Sequence, residues 1–175
     1  VKGVLQTTFA ALSVVSDTMK QVRTTLTRLA DGTINGDQRA QYNTQYNLLR
    51  TQISDFITDA TYNGRTLLST LAVAPGGATG GNITGIRNEG GGTFTIDSVN
   101  GVAFNLISTP AAATNAQTMI ASGGEFDVTD ALISTALNQF GASMQYVENQ
   151  VVYNSKKVDA MNSGLGALVD ADLAR

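Results

Sequence analysis

Few residues in this chain are of a type and spacing that carry chemistry. "VDADLAR" offers Asp170 and Asp172 as a carboxylate pair. Two apart on a helix they do not share a face, so they read as solvated charges near a helix end, not as an acid–base or metal pair. The glycine clusters "PGGATGG" and "NEGGGT" lack both the Lys and hydroxyl spacing of a P-loop and the strand-to-helix setting of a dinucleotide fingerprint. They read as connectors. Asn82-Ile83-Thr84 fits the N-glycosylation pattern, which chance produces often. With no Cys and no His in 175 residues, thiol chemistry, disulfides, zinc sites and imidazole catalysis are excluded. No catalytic, cofactor or metal site is expected, and the chain does not read as an enzyme. Aromatic residues make up 6% with no Trp, which disfavours an aromatic-lined pocket or a base-stacking platform.

Composition bounds the remaining classes. An apolar content of 42% is that of a folded protein, and no apolar run approaches the roughly 18 residues that span a bilayer. No charged-then-apolar signal peptide opens the chain. The net charge is -3, and the 11 Lys and Arg are scattered, so neither nucleic acid nor acidic lipid is an expected partner.

The periodicity predicts long helices. Leu5, Leu12, Met19 and Leu26 fall seven apart, and Thr8, Val15, Val22 and Leu29 fill the second heptad position. "DGTINGD" breaks this helix, with Asp37 as the expected N-cap of a second helix that carries Tyr42, Tyr46, Leu49, Ile53, Phe56 and Ala60. Tyr42 and Tyr46 read as core residues with their hydroxyls at the edge. From about Asp130 to Val169 a third helix is predicted. Ile133, Leu137, Phe140, Met144, Val147, Val151, Asn154, Val158, Met161, Leu165 and Leu168 alternate steps of four and three. Asn154 is the one polar member. It either fixes register and partner orientation or faces water near a gap in the bundle. Gly164 and Gly166 mark a weak point in this helix, each costing about 1 kcal/mol relative to Ala.

The fold class expected is mainly α, a long antiparallel, coiled-coil-like rod with a small β-hairpin-containing insert. The rod comprises residues 1–70 and 126–175, and residues 71–125 form a Gly/Thr-rich, outward-facing region. Within the insert, "TFTIDSVNGVAFNLI" predicts a hairpin turning at Asn100-Gly101, between strands 93–99 and 102–107. The plain explanation of the heptads is a monomeric bundle. Helices of unequal length cannot cover one another completely, however, so some seam is left for a partner.

With these parts assembled, both ends resemble a known family. "QTTFAALSVVSDTMKQVRTTLTRLADGT" and "ISDFITDATYNGRTLLS" resemble the N-terminal region of bacterial flagellins, including the "NG..LL" turn at Asn63-Gly64. "ALNQFGASMQYVENQVVYNSKKVDAMNSGLGALVDADLAR" is similar to the flagellin C-terminal region. The resemblance implies the helical rod termed D1, without the terminal D0 helices, and a structural subunit that self-assembles into the flagellar filament for motility. It implies other flagellin subunits, hook-associated and cap proteins and an export chaperone as partners, with export to the extracellular flagellum without a cleaved signal peptide. Asn154, Met161, Leu165 and Leu168 are the expected helical seam for assembly. Alternatives are the hook-filament junction protein, whose second helix normally leads to a "YlFsG"-like segment, and a surface homologue acting as an adhesion module.

The resemblance also bears on recognition by the Toll-like receptor that senses flagellin. In an ungapped reading the recognised positions are Gln21, Val22, Arg23, Thr24, Thr25 and Gln45. The family's Arg, Leu and Glu at the first, fifth and last of these are replaced here by Gln21, Thr25 and Gln45. Weak or no activation is expected, as for flagellins of the alphaproteobacterial kind. Because the apolar pattern opens at Val1 without a cap and runs through Leu165 and Leu168 almost to Arg175 without a stop, the chain reads as a fragment that keeps the rod and does not polymerise alone.

Overall fold

The structure, a computed structural model, describes residues 1–173, with side chains described as far as Val169. The Asp170 and Asp172 carboxylates lie outside the described residues. The elements are α1 (Lys2–Leu29), α2 (Gly36–Asp59), β1 (Ile83–Ile86), β2 (Thr93–Ile96), a 3-10 turn (Gly101–Phe104), α3 (Ala113–Ile120) and α4 (Glu125–Leu173).

The helix α1 is the shared centre, because α2, α3 and α4 all pack on it. Its two heptad positions account for this. Leu5, Leu12, Met19 and Leu26, with Thr8, Val15, Val22 and Leu29, are all buried, so α1 has apolar surface for more than one neighbour. Thr18 and Thr25 lie in the same interface and return their hydroxyls to the carbonyls of Val14 and Gln21, at 2.9 and 3.0 Å. The Thr8 hydroxyl is buried without a partner.

The chain reverses through residues 30–35. The Asp31 carboxylate accepts from the Thr33 hydroxyl at 2.7 Å and from its amide at 2.8 Å. These two bonds, the hydroxyl first, hold its pKa below the usual carboxylate value. Arg39 donates to the carbonyls of Leu29 and Asp31 at 2.9 and 3.0 Å, satisfying acceptors that the end of α1 leaves open. The N-cap of α2 is Asn35, two residues earlier than the expected Asp37. Asn35 is extended, and it exchanges hydrogen bonds with Gln38 in a reciprocal capping box. Asp37 instead sits in the first turn, where its charge favours the helix N-terminus. Tyr46, Leu49, Ile53 and Ala60 are buried as the pattern predicts, together with Ile57, while Tyr42 and Phe56 are half-buried.

The 49 residues of α4 extend about 70 Å at 1.5 Å per residue. Gly164 and Gly166 leave it unbroken. It runs antiparallel to α1: Lys2 Nζ lies 3.5 Å from Glu148 Oε1, and Arg23 Nη2 lies 3.8 Å from Asp130 Oδ2.

The small antiparallel sheet forms from different strands than expected. Thr93–Ile96 pairs upstream with Ile83–Ile86, with Ile83 opposite Ile96 and Ile86 opposite Thr93, and not with residues 102–107. Asn100-Gly101 does not turn. A two-residue hairpin turn of this kind needs positive φ at both central positions, whereas Asn100 has φ -80. Gly101 is drawn into the core, donating to Leu68 O and Val99 O, both at 3.1 Å. The chain then winds into the 3-10 turn, which buries Phe104. The tight turn forms instead at Asn63-Gly64, with φ 51 and 71 and a Tyr62–Arg65 bridge.

Candidate assembly surface

Along α4 one periodic stripe passes through two environments. Ile133, Phe140 and Val147 are buried, and Leu137 and Met144 pack against the same core. The Lys2–Glu148 pair marks where α1 begins and its cover of α4 ends. Beyond it Val151, Val158, Met161, Leu165 and Leu168 are between 55% and 70% exposed. Asn154 is half-exposed in the middle of this stripe. Among the described residues no other helix packs along Met161, Leu165 and Leu168.

The β1–β2 flap touches α4 along both halves, at positions outside the stripe. Gln139 Nε2 donates to the Asp97 carbonyl at 3.2 Å, and the Phe94 and Tyr146 rings meet edge-on with centroids 5.5 Å apart. At the flap tip, Glu89 and Lys157 form an ion pair. Their mutual hydrogen bond is the main reason that the Glu89 pKa falls below its ordinary value and that of Lys157 rises above it. Arg87, Asn88 and Gln150 complete a polar cleft around this pair.

At the other end, the segment before α3 is tied to α2 and α4. The Glu125 carboxylate accepts the amide N–H groups of Ile107 and Ser108. The buried Tyr46 hydroxyl donates to the Ser108 carbonyl at 2.8 Å. Burial, then the nearby Glu125 charge, raise the Tyr46 pKa, so the phenol stays a donor. The adjoining cleft of about 440 Å³ is lined by Thr109, Thr114, Asn115 and Thr118 as well as Glu125. Its carboxylate is committed to the main chain, which leaves the cleft without a free acid–base pair. Among the described residues no group of three metal-ligating side chains occurs, and no helix is long and apolar enough to cross a membrane.

The positions matched to receptor recognition divide by burial. Gln21, Arg23, Thr24 and Gln45 are exposed, whereas Val22 and Thr25 are buried in the α1 interface. Thr25 occupies a packing position, so in this fold it cannot stand in for a surface anchor. Arg23 is engaged within the chain, its guanidinium lying 4.9 Å from the Phe126 ring centroid. The half-buried Tyr42 is partnered in a similar way by Arg28, at 5.5 Å. Sequence reasoning missed the flap's grip on α4, because Glu89 and Lys157 are 68 residues apart and neither lies in a periodic pattern.

The described residues form a long helical rod with a small antiparallel flap and an exposed apolar stripe on α4. The chain is similar to flagellins: it is 26% identical to flagellin FljK of Caulobacter vibrioides, over 99% of this chain and 61% of that protein. It is 25% identical to a flagellin of Brucella melitensis, over 98% of this chain and 62% of that protein. Its fold matches that of Bacillus cereus flagellin with a TM-score of 0.76 at 21% identity, covering 87% of this chain and 84% of that one. No protein-family model matches. The chain thus spans less than two thirds of the length of these curated relatives.

Proposed function

We propose that the protein containing this chain is a structural subunit that self-assembles into an extracellular flagellar filament. The observation that carries the reading is the α4 stripe, which continues in register from a buried half into an exposed half on a chain similar to flagellins. Surfaces that meet head-to-tail without closing propagate as a helical tube. In this reading residues 1–70 and 126–175 form the rod and residues 71–125 face outward. Other copies are the principal partners, with Met161, Leu165 and Leu168 as the apolar knobs and Asn154 setting register. Hook-associated and cap proteins and an export chaperone complete the set.

The test uses the full-length gene in cells lacking their own filament protein. The parental gene is expected to restore filaments, seen by electron microscopy. A combined Met161→Lys, Leu165→Lys, Leu168→Lys variant is expected to yield exported monomer only, with the thermal unfolding of the rod unchanged. Filaments of parental length from the triple variant would overturn the reading.

Weak or no activation of the flagellin-sensing Toll-like receptor belongs to the same proposal. Gln21 and Gln45 replace charged residues at exposed positions, which removes charge-assisted hydrogen bonds. A receptor-reporter assay on the full-length protein checks this, and robust signalling at low dose would sink it.

A further inference from the structure

Three Asn-Gly dipeptides occur in the chain, at Asn35, Asn63 and Asn100. In each, the missing side chain of the glycine leaves its nitrogen free to approach the asparagine Cγ. The fold withholds this reaction at two of them. Asn35 holds its side-chain oxygen on the Gln38 amide at 2.8 Å, as the cap of α2. Gly101 is buried and donates its N–H to Leu68 O and Val99 O. A Cβ placed on Gly101 would lie 2.6 Å from Leu68 O, so the main chain there has no room to swing.

At Asn63-Gly64 neither group is engaged. Both residues are exposed, and among the described residues neither the Asn63 carboxamide nor the Gly64 N–H has a hydrogen-bond partner. Nothing lies within 4 Å of a Cβ placed on Gly64. Asn63 is also held at φ 51, a left-handed conformation that L-residues favour only weakly, so leaving it is not opposed by local preference.

We propose that Asn63 is a site of spontaneous deamidation and isoaspartate formation. Hydroxide removes the Gly64 amide proton, and the nitrogen attacks Asn63 Cγ. An N–Cγ bond forms, the Cγ–Nδ2 bond breaks, and ammonia leaves a five-membered succinimide. Water then opens the ring at either carbonyl, giving aspartate or isoaspartate. One water is consumed, one ammonia is released, and nothing is oxidised or reduced. Isoaspartate adds a methylene to the main chain at the turn that pairs Tyr62 with Arg65. It also displaces the Gly64 carbonyl, which accepts the Thr79 amide at 2.7 Å. The change therefore loosens the join between the end of α2 and the insert.

The test ages the chain in mildly alkaline buffer, folded and in concentrated urea, and follows all three sites by peptide mapping with isoaspartyl methyltransferase labelling. The peptide Thr51–Arg65 reports Asn63. In urea the three sites are expected to react at comparable rates. In the folded chain Asn63 is expected to stay within about threefold of its unfolded rate, while Asn35 and Asn100 slow by about tenfold or more. Equal suppression at all three sites, or Asn35 or Asn100 reacting first, would overturn the proposal. Hydrogen exchange at Thr79 separates charge from chain lengthening. The Asn63→Asp variant is expected to keep its protection and the isoaspartate product to lose it. Retained protection in the isoaspartate product would remove the structural consequence.

Discussion

The two halves of α4 carry one sequence pattern and meet opposite environments. Residues 133–147 bury their stripe against the rest of the rod, and residues 151–168 present the same steps of four and three to solvent. A heptad states that a helix has an apolar seam. It does not state what fills the seam, because that depends on where the neighbouring helix begins. Here α1 begins opposite Glu148, and the character of the stripe changes there.

Truncation gives the largest contrast between the halves. Phe140→Ala is expected to destabilise the chain by about 3–5 kcal/mol, since a fully buried ring leaves a cavity. Leu165→Ala is expected to change stability by less than about 0.5 kcal/mol in the monomer. Urea unfolding of the two variants measures this, and similar losses would mean that the outer half is covered after all. A smaller effect, of opposite sign, tests the covered half. Thr8→Val removes a buried hydroxyl without a partner and is expected to add about 1 kcal/mol. A loss of stability would show that the hydroxyl is satisfied.

The smallest effect belongs to the bare half. Glu89 is exposed and Lys157 half-buried, so removal of the pair is expected to leave global stability nearly unchanged. Its mark is local, in amide exchange of residues 150–158. Glu89 has a lowered pKa, so its contribution is present above its unfolded value of about 4.3 and is lost as pH falls through the folded one. Lys157 has a raised pKa, so its contribution is complete below about 10.4 and is lost as pH rises through the folded value. Exchange in this segment is expected to be slowest between those limits, relative to a Glu89→Gln control. A flat difference across pH would dismiss the clamp.

The helical rod was legible because period and burial coincide: all eight heptad residues named in α1 are buried. The flap was harder to place. The Asn-Gly dipeptide at Asn100 predicts a hairpin turn, whereas the core claims Gly101 there and the tight turn sits at Asn63. A dipeptide records what the backbone is free to do, and tertiary burial decides whether it does so. The short α3 escaped notice because eight residues with two buried side chains, Ala116 and Met119, give too little periodicity. The assembly stripe was legible as a pattern, but its exposure depends on where α1 begins. Among the receptor-matched positions, burial in the α1 interface takes Val22 and Thr25 off the surface, which the sequence pattern alone does not reveal.

The central place of α1 has a mechanical meaning. Since α2 and α4 both pack on α1, a pull along α4 reaches α2 largely as shear across the side chains of the middle helix. The two interfaces act as springs in series, and the softer one sets how far the rod yields. A substitution that loosens either stripe of α1 would lower the stiffness of the whole rod, even where the equilibrium between folded and unfolded chain hardly moves.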